Sequence, residues 1–352
     1  MIKQPTGSSN PKPLVTVGVC TYKRVHTLPY LFEALKKQTY KNFEIVIALK
    51  PSGDGTEKIL EKNSKELSIN IAIQTHDGIT NAYNIIIDNA KGEIIVFVDD
   101  DAVPYPNWLE EYVMTYQKYD NLGAVSGPAE SAILENEKVT KATIEVAKNV
   151  REYELPWARP LKGMSDWLIY FGKDGLVHHR QMLKKGNVDK VYPSLLFMGA
   201  NMSFKTEAIK GITFDEENFL GFTCEQRFAY KILLRGYKMV FNPNARVLHI
   251  LQDDTLGRFY TTPKKAALRD AEFVASFPFV RPTANVSFFA YVLSIFTIIF
   301  AYVLKTRKYG LFTVIYRVYG LMYGFVVACS IIVSTFFGGN FSKLNALSKI
   351  YD

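Results

Sequence analysis

Three consecutive carboxylates, Asp99, Asp100 and Asp101, are the residues of this chain best suited to do chemistry. They follow the apolar run Ile94–Val98, which predicts a strand buried on both faces. Because alternate side chains of an extended backbone point the same way, Asp99 and Asp101 can converge on one ligand. A hard divalent cation relieves the repulsion between such close charges and keeps coordination sites free for phosphate oxygens. The alternative is a solvated acidic turn, since aspartate is common in turns.

The elements that must position these carboxylates alternate between strand and helix. Buried strands are predicted at Leu14–Cys20, Phe43–Leu49 and Ile69–Gln74. Amphipathic helices are predicted between them, and the helix that begins near Ile79 carries Asn81 and Asn84 on its polar side. Such alternation predicts a parallel sheet with right-handed crossovers. Ligands of these sheets bind beyond the carboxyl ends of the strands, where the acidic triplet is expected to lie.

The composition limits the possible partners. The chain has 352 residues and a net charge of +8, which suits nucleic acid, anionic lipid or phosphorylated substrates. No run of lysine and arginine with interleaved aromatic residues occurs, so a nucleic-acid partner is not expected. The three cysteines lie far apart and predict neither a disulfide framework nor a zinc site, which is typical of a reducing compartment. The polar residues 1–13 are expected to be a flexible lead-in.

Two long charge-free segments follow position 285. Val286–Leu304 and Val318–Phe337 contain nineteen and twenty residues, close to the length that spans a bilayer. Between them lie the basic residues Lys305, Arg307, Lys308 and Arg317. The pattern predicts a membrane-associated helical pair over residues 285–340. Two spans, a re-entrant or interfacial pair, and a buried soluble hairpin are the three possible arrangements.

Seven motifs occur in a fixed order between residues 14 and 250. They are VGVCTYKR at Val17–Arg24, QTYKNFEIVI at Gln38–Ile47, GITNAYN at Gly78–Asn84, GEIIVFVDDD at Gly92–Asp101, GANMSFK at Gly199–Lys205, the segment Gly221–Tyr237, and VLH at Val247–His249. Together they resemble the motifs of inverting family 2 glycosyltransferases with the GT-A fold, in which the acidic triplet is similar to the DxD metal motif.

The resemblance implies an α/β protein with the GT-A nucleotide-diphospho-sugar transferase fold, a mostly parallel sheet flanked by helices. A C-terminal hydrophobic helical pair follows this domain. The implied organisation is a lead-in at 1–13, a catalytic domain at 14–250 with a nucleotide-binding half at 14–127 and an acceptor half at 128–250, a linker at 251–284, and the membrane-associated pair at 285–340.

The resemblance also implies a role for each residue of the site. The nucleotide is expected to bind Thr21, Tyr22, Arg24, Asn81, Asn84, Asp99 and Asp100. Mg²⁺ or Mn²⁺ is expected to bind Asp101, Asp99 and His249, although His249 is equally well interpreted as a histidine at a strand end. The acceptor side is expected to include Gly199, Ala200, Asn201 and Gln226.

The catalytic base implied by the resemblance is Glu225, because inversion by a single displacement needs one carboxylate to deprotonate the acceptor hydroxyl. The alternative is an acid that merely favours a helix N-terminus. The family usually has an aspartate beside this residue, and Gln226 stands there instead and cannot accept a proton. Two further departures are Leu49 and Lys50, where the family usually has an aspartate pair, and Lys205, where an arginine is frequent.

The expected function is metal-dependent transfer of a sugar from a nucleotide-sugar donor to a membrane-associated, lipid-linked glycan acceptor. The expected location is the cell membrane, with the catalytic domain facing the cytoplasm. One alternative is a weakly active or inactive membrane protein that binds sugar nucleotides or lipid-linked sugars. A nucleotidyltransferase is the second alternative, but Thr21–Arg24 is not the glycine-rich basic loop that would hold a triphosphate. A processive polymer synthase is disfavoured because the QxxRW motif is absent.

Overall fold

The computed structural model describes residues 12–142, 155–180, 188–196, 199–216, 223–251, 262–280 and 285–336. The strands are β1 Val15–Thr21, β2 Phe43–Leu49, β3 Ile69–Ile73, β4 Ile94–Val98, β5 Ala102–Pro104, β6 Leu122–Ser126, β7 Ala129–Glu135, β8 Lys138–Lys141, β9 Ile169–Phe171, β10 Val177–His179, β11 Tyr192–Pro193, β12 Asn201–Lys205, β13 Lys238–Phe241 and β14 Val247–Ile250. The helices are α1 Leu28–Lys36, α2 Thr56–Asn63, α3 Ile79–Asn89, α4 Trp108–Lys118, α5 Thr206–Ile209, α6 Cys224–Leu234, α7 Pro263–Ala275, α8 Phe277–Val280, α9 Phe288–Leu304, α10 Thr306–Tyr309 and α11 Leu311–Phe336.

An eight-stranded sheet in the order β11-β13-β6-β12-β4-β1-β2-β3 forms the centre of the protein. Strands β3, β2, β1 and β4 are parallel, as the strand–helix alternation predicts. Strand β12 lies antiparallel between β4 and β6, so the sheet is mixed beyond β4. The predicted α/β class is therefore confirmed, and β4 is the strand at which the sheet changes from parallel to antiparallel pairing.

The core occupies both faces of this sheet because its strands are apolar in both directions. On one face, Val17 and Val96 pack with helices α1 and α4. On the other face, Val46 and Phe97 pack with helices α3 and α6. Gly18 allows α3 to approach β1, since a Cβ at this position would lie 2.5 Å from Ile86 Cγ2. The sheet is thus a rigid layer whose carboxyl edge is free to carry a site.

A second sheet in the order β5-β14-β7-β8 lies beyond the end of β4. Strand β14 pairs antiparallel with β5 and parallel with β7. The register places His249 opposite Ala102, the residue that follows the acidic triplet. This small sheet therefore returns a distant part of the chain to the carboxyl edge of the main sheet.

The C-terminal helices pack against the α/β domain. The segment 251–284, expected to be a linker, contains helices α7 and α8 in its described part. Helix α7 packs along α11 and is buried on several sides, because its alanines recur at helical spacing. Between Leu311 and Ser334, α11 is long and apolar enough to cross a membrane, whereas Phe288–Leu304 is a shorter apolar helix.

Candidate active site

The acidic triplet forms a tight turn at the end of β4. The Ala102 amide donates to the Asp99 carbonyl at 3.1 Å, and the Ile250 amide donates to the Asp101 carbonyl at 2.9 Å. These two bonds join the turn to β14 and bring His249 to the same point. A triplet after a buried strand and a histidine 148 positions after Asp101 are thus adjacent in space because β5 and β14 pair.

Three ligand atoms converge at this edge. His249 Nε2 lies 3.0 Å from Asp101 Oδ1 and 3.5 Å from Asp99 Oδ2. One ligand atom from each of these residues lies within 4.8 Å of the others. The buried Nε2 atom is not in hydrogen-bonding geometry with any residue that the structure describes. Two carboxylates and an imidazole nitrogen with no hydrogen bond are a donor set that fits a divalent cation such as Mg²⁺ or Mn²⁺.

The electrostatics of the edge favour a positive charge. Burial lowers the pKa of His249, but the adjacent Asp101 and Asp99 carboxylates outweigh it and raise this pKa to about 10. Asp101 is almost fully buried, whereas Asp99 is about one-third exposed. A proton and a metal ion would therefore compete for the His249 nitrogen between these carboxylates. Asp99 is the carboxylate of the pair that an entering ligand can reach.

Asp100 points the other way and is held by Arg24. The buried Arg24 side chain places Nε 3.0 Å from Asp100 Oδ1 and its terminal nitrogen 3.5 Å from Asp101 Oδ2. The Tyr22 amide donates to Asp100 Oδ2 at 3.3 Å. Burial raises the pKa of Asp100 to about 7, Asp101 adds to this rise, and Arg24 opposes it. Arg24, predicted to contact the nucleotide, thus joins the β1 loop to the acidic turn.

The remaining residues of the β1 loop border this edge. The Thr21 carbonyl accepts the Lys50 amide at 3.0 Å, which extends the pairing of β1 and β2 to their ends. The Lys50 ammonium lies 4.6 Å from the centre of the Tyr22 ring and 2.6 Å from Asp77 Oδ1. Lys50 thus adds a positive charge beside an aromatic ring at the end of β2, where the resemblance led us to expect an aspartate.

Glu225 lies in the first turn of α6, at the other end of the candidate site. The Gly199 amide donates to Glu225 Oε1 at 3.1 Å. Burial and, to a smaller extent, the nearby Glu272 carboxylate raise the pKa of Glu225 to about 7. A carboxylate with this pKa is suited to accept a proton near neutral pH.

Glycine is required at position 199 because two side chains approach its backbone. An added Cβ would lie 2.3 Å from the Tyr83 hydroxyl and 2.9 Å from Glu225 Oε1. Tyr83 is buried, and its pKa is raised by burial and then by the charges of Asp99 and Glu225. Tyr83 therefore lies between the acidic edge and Glu225, although its sequence position only indicated a member of the apolar stripe of α3.

Glu272 of α7 holds the start of α6 and has no solvent exposure. Its Oε1 atom accepts from the Thr223 amide at 3.2 Å and from the Thr223 hydroxyl at 3.3 Å. The Arg227 guanidinium lies 3.1 Å from the same oxygen. Sequence reasoning missed this residue, because Glu272 lies in the segment expected to be a linker and no motif marks it.

The two asparagines expected to contact the nucleotide bind a nearby segment of the protein. Asn84 exchanges two hydrogen bonds with the backbone of Phe214, at 2.9 and 2.8 Å. The amides of Asn81 and Asn84 both donate to the carboxylate of Glu216. Their amide nitrogens thus join α3 to the segment that precedes α6.

The residues expected on the acceptor side differ in their surroundings. Asn201 is buried and makes four hydrogen bonds, to Trp108, Tyr112, Pro128 and Ala245, which use its whole amide. Ala200 is buried beside it. Gln226 is half-buried, and its Oε1 atom has no hydrogen bond within the part of the chain that the structure describes. Of this group, Gly199 contacts Glu225 directly, and Gln226 retains an available acceptor atom.

Part of this chain is similar to known glycosyltransferases. Residues 16–178 match the protein family Glycosyl transferase family 2. The chain is 32% identical over 180 residues to an uncharacterized glycosyltransferase of Haemophilus influenzae, spanning 50% of this chain and 53% of that protein. It is 28% identical over 120 residues to the glucosyl-dolichyl phosphate glucuronosyltransferase of Haloferax volcanii, spanning 32% of this chain and 37% of that protein. The chain therefore spans about half the length of the first relative and about a third of the second.

The fold is shared with a solved structure of GalNAc-T7 with UDP, GalNAc and Mn²⁺. The two chains superpose with a TM-score of 0.52 at 16% identity, over 86% of this chain and 59% of the other. At this level of identity the likeness shows the fold alone.

Proposed function

We propose that the protein is a metal-dependent inverting glycosyltransferase, a proposal supported by the match of residues 16–178 to Glycosyl transferase family 2 and by the fold shared with GalNAc-T7. It transfers a sugar from a nucleotide-sugar donor to a membrane-associated, lipid-linked acceptor. The observation that carries the proposal is the convergence of Asp99, Asp101 and His249 at the carboxyl edge of the sheet.

Asp101 and His249 are the inner ligands of the proposed metal site, and Asp99 completes it from the more exposed side. When bound, the cation neutralises the charge that develops on the diphosphate leaving group. Arg24 and Asp100 hold the β1 loop against the acidic turn, so Thr21 and Tyr22 border the donor. The Mn²⁺ and UDP bound by GalNAc-T7 are consistent with this assignment.

Glu225 is the proposed general base. In a single displacement one group must take the proton of the acceptor hydroxyl on the face opposite the leaving group. The Gly199 amide and the start of α6 orient the carboxylate, and burial gives it a pKa of about 7. Gly199 and Gln226 border the acceptor on this side.

The proposed acceptor is a polyprenyl- or dolichyl-phosphate-linked sugar. The name of the Haloferax volcanii relative describes transfer to a glucosyl-dolichyl phosphate, and the apolar helices α9 and α11 suit a protein that works beside lipid. We place the catalytic domain on the cytoplasmic side of the cell membrane, since three free cysteines are typical of a reducing compartment.

The test is sugar transfer by the purified full-length protein. UDP- and GDP-sugars are offered with a polyprenyl-phosphate-linked acceptor in detergent, with Mn²⁺ or Mg²⁺ and then with a chelator. We expect transfer that requires the metal and yields a product of inverted anomeric configuration by NMR. Metal-dependent donor binding without transfer or donor hydrolysis would favour a binding protein over an enzyme, and a retained anomeric configuration would remove Glu225 from its role.

A further inference from the structure

The apolar helices α9 and α11 are docked on the catalytic domain by polar contacts in their middle sections. Ser294 of α9 donates to Asp174 Oδ2 at 2.7 Å, and both side chains are buried. The Tyr291 hydroxyl donates to the Val274 carbonyl of α7 at 2.9 Å. Trp157 also donates to Ser294, at 3.1 Å. Helix α9 is therefore part of the folded domain along one side.

Helix α11 lies in close contact with α7. An added Cβ at Gly320 would lie 2.1 Å from the Ala267 carbonyl oxygen, and one at Gly324 would lie 2.3 Å from that of Ala271. The Arg317 guanidinium pairs with the buried Asp270 carboxylate at 2.8 Å. Further along α11, Val327 and Ile331 pack on the alanines of α7. These contacts extend from residue 317 to residue 331, which is about 21 Å of helix at 1.5 Å per residue.

This contact conflicts with a membrane crossing by α11. The hydrocarbon core of a bilayer is about 30 Å thick, so a crossing α11 would place much of α7 inside it. The other side of α7 carries Glu272, which is bound to Thr223 and Arg227 at the start of α6. A crossing would therefore place the ion pairs of α7 and the start of α6 at the depth of the hydrocarbon core, where charged side chains are costly and rare.

The sides of α9 and of the first turns of α11 that turn away from the domain are lined by large apolar side chains. We define the outer face by Phe289, Phe296 and Phe300 of α9 and by Phe312, Ile315 and Tyr319 of α11. Each of these side chains is more than half exposed. They recur at helical spacing, so each helix presents one continuous stripe. An apolar stripe along a docked helix is typical of a helix that lies in the plane of a membrane surface.

The charges of this region match an anionic surface. The sequence from 285 to 336 contains no aspartate or glutamate, and it contains Lys305, Arg307 and Lys308 besides Arg317, which pairs with Asp270. Arg307 and Lys308 are exposed on α10, between the two apolar helices. Basic residues beside a buried apolar face add attraction to anionic lipid headgroups.

We propose that α9, α10 and α11 bind the surface of an anionic bilayer in its plane, with the outer face inserted and neither helix crossing. The α10 turn then stays on the same side of the membrane as the active site. The inference rests on the proposed function only for the acceptor that this surface would supply. It selects the interfacial arrangement from the three that the sequence permits.

Whether the helices cross the bilayer is tested by cysteine labelling of the full-length protein bound to preformed vesicles of phosphatidylcholine and phosphatidylglycerol. Arg307→Cys and, as the exposed control in the catalytic domain, Lys62→Cys are each made in a Cys329→Ser background. A membrane-impermeant maleimide is added from outside. We expect the two cysteines to be labelled at similar rates. Protection of position 307 until detergent is added would overturn the in-plane arrangement.

The outer face is tested by flotation with the same vesicles and with vesicles of phosphatidylcholine alone. The wild type is expected to float with the anionic vesicles and less with the neutral ones. Phe296→Asp with Phe312→Asp should reduce binding tenfold or more, whereas the matched control Met114→Asp on the exposed side of α4 should not. Equal binding by both variants would overturn the assignment of the face.

These outcomes are separable from a failure of the proposed reaction. Sugar transfer in detergent does not depend on a bilayer. If sugar is transferred but position 307 is protected from the maleimide, only the in-plane arrangement is overturned. If position 307 is labelled as fast as position 62 but no sugar is transferred, only the proposed reaction is overturned. Thermal unfolding of the double aspartate variant, compared with the wild type, identifies any loss of binding that comes from misfolding.

Discussion

The two ends of the candidate site are built in opposite ways. At the acidic edge, three consecutive aspartates and one paired strand bring the groups together, and Arg24 and His249 balance their charge. At Glu225, a second buried acid, Glu272, lies nearby and opposes ionisation. The first arrangement suits a group of carboxylates that binds a cation. The second suits a group that exchanges a proton near neutral pH.

The two ends also differ in how far apart in sequence the residues that build them lie. The acidic edge depends on local sequence, since a buried strand followed by a turn is enough to direct Asp99 and Asp101 to one side. The Glu225 end depends on Gly199, Tyr83 and Glu272, which are far apart in sequence. The following changes separate the two ends, beginning with the largest effect.

Asp101→Asn should reduce turnover by at least about a thousandfold, because it removes the buried negative charge on which the cation site depends. The measurement is the steady-state transfer rate over a range of Mn²⁺ concentrations, together with thermal stabilisation by Mn²⁺. Asp77→Asn changes an exposed acid near the same edge and serves as the control. Wild-type turnover by Asp101→Asn would show that the acidic edge is not the metal site.

Glu225→Gln should reduce the turnover number by about a hundredfold, since it keeps the shape but removes the proton acceptor. Donor binding should stay unchanged, which isothermal titration with the sugar nucleotide measures. Glu207→Gln, at the same kind of position in the first turn of α5, is the matched control. A loss of donor binding that equals the loss of rate would place Glu225 at the nucleotide instead.

The pH dependence of the wild type should show a base with a pKa of about 7. The base works when deprotonated, so kcat/KM should reach a plateau above this pH and fall as pH decreases through it. At pH 6 the rate should be about one tenth of the plateau. The profile is measured at saturating metal, because protons also compete at His249. A rate independent of pH between 6 and 8 would contradict the assignment.

Glu272→Gln should have the smallest effect on rate, a few-fold at neutral pH, but it should move the pH profile. The Glu272 charge raises the pKa of Glu225, so its removal should shift the acid limb to lower pH. Asp270→Asn is the matched control, since it alters the opposite side of α7 and its bond to Arg317. If the acid limb of the pH profile is the same in Glu272→Gln as in the wild type, the Glu272 charge does not contribute to the raised pKa of Glu225.

The sequence predicted the sheet and the acidic edge well because their determinants are contiguous. The buried strands have β-branched runs, and the aspartates end one of them. It did not predict that Asn84 would be fully engaged by Phe214 and Glu216, because an exposed helix face and a contact with a later segment have the same pattern. Helix α7 was missed because a short helix rich in alanine and charge resembles a linker until its packing partner is known.

The position of α7 has a structural consequence. Two buried carboxylates of α7 make contacts on different sides of the helix. Glu272 accepts from Thr223 at the start of α6, and Asp270 pairs with Arg317 of α11. One helix therefore contacts both α11 and Thr223, two residues before Glu225. Helices beyond the matched residues 16–178 therefore support the start of α6, so the surroundings of Glu225 depend on the C-terminal part of the chain as well.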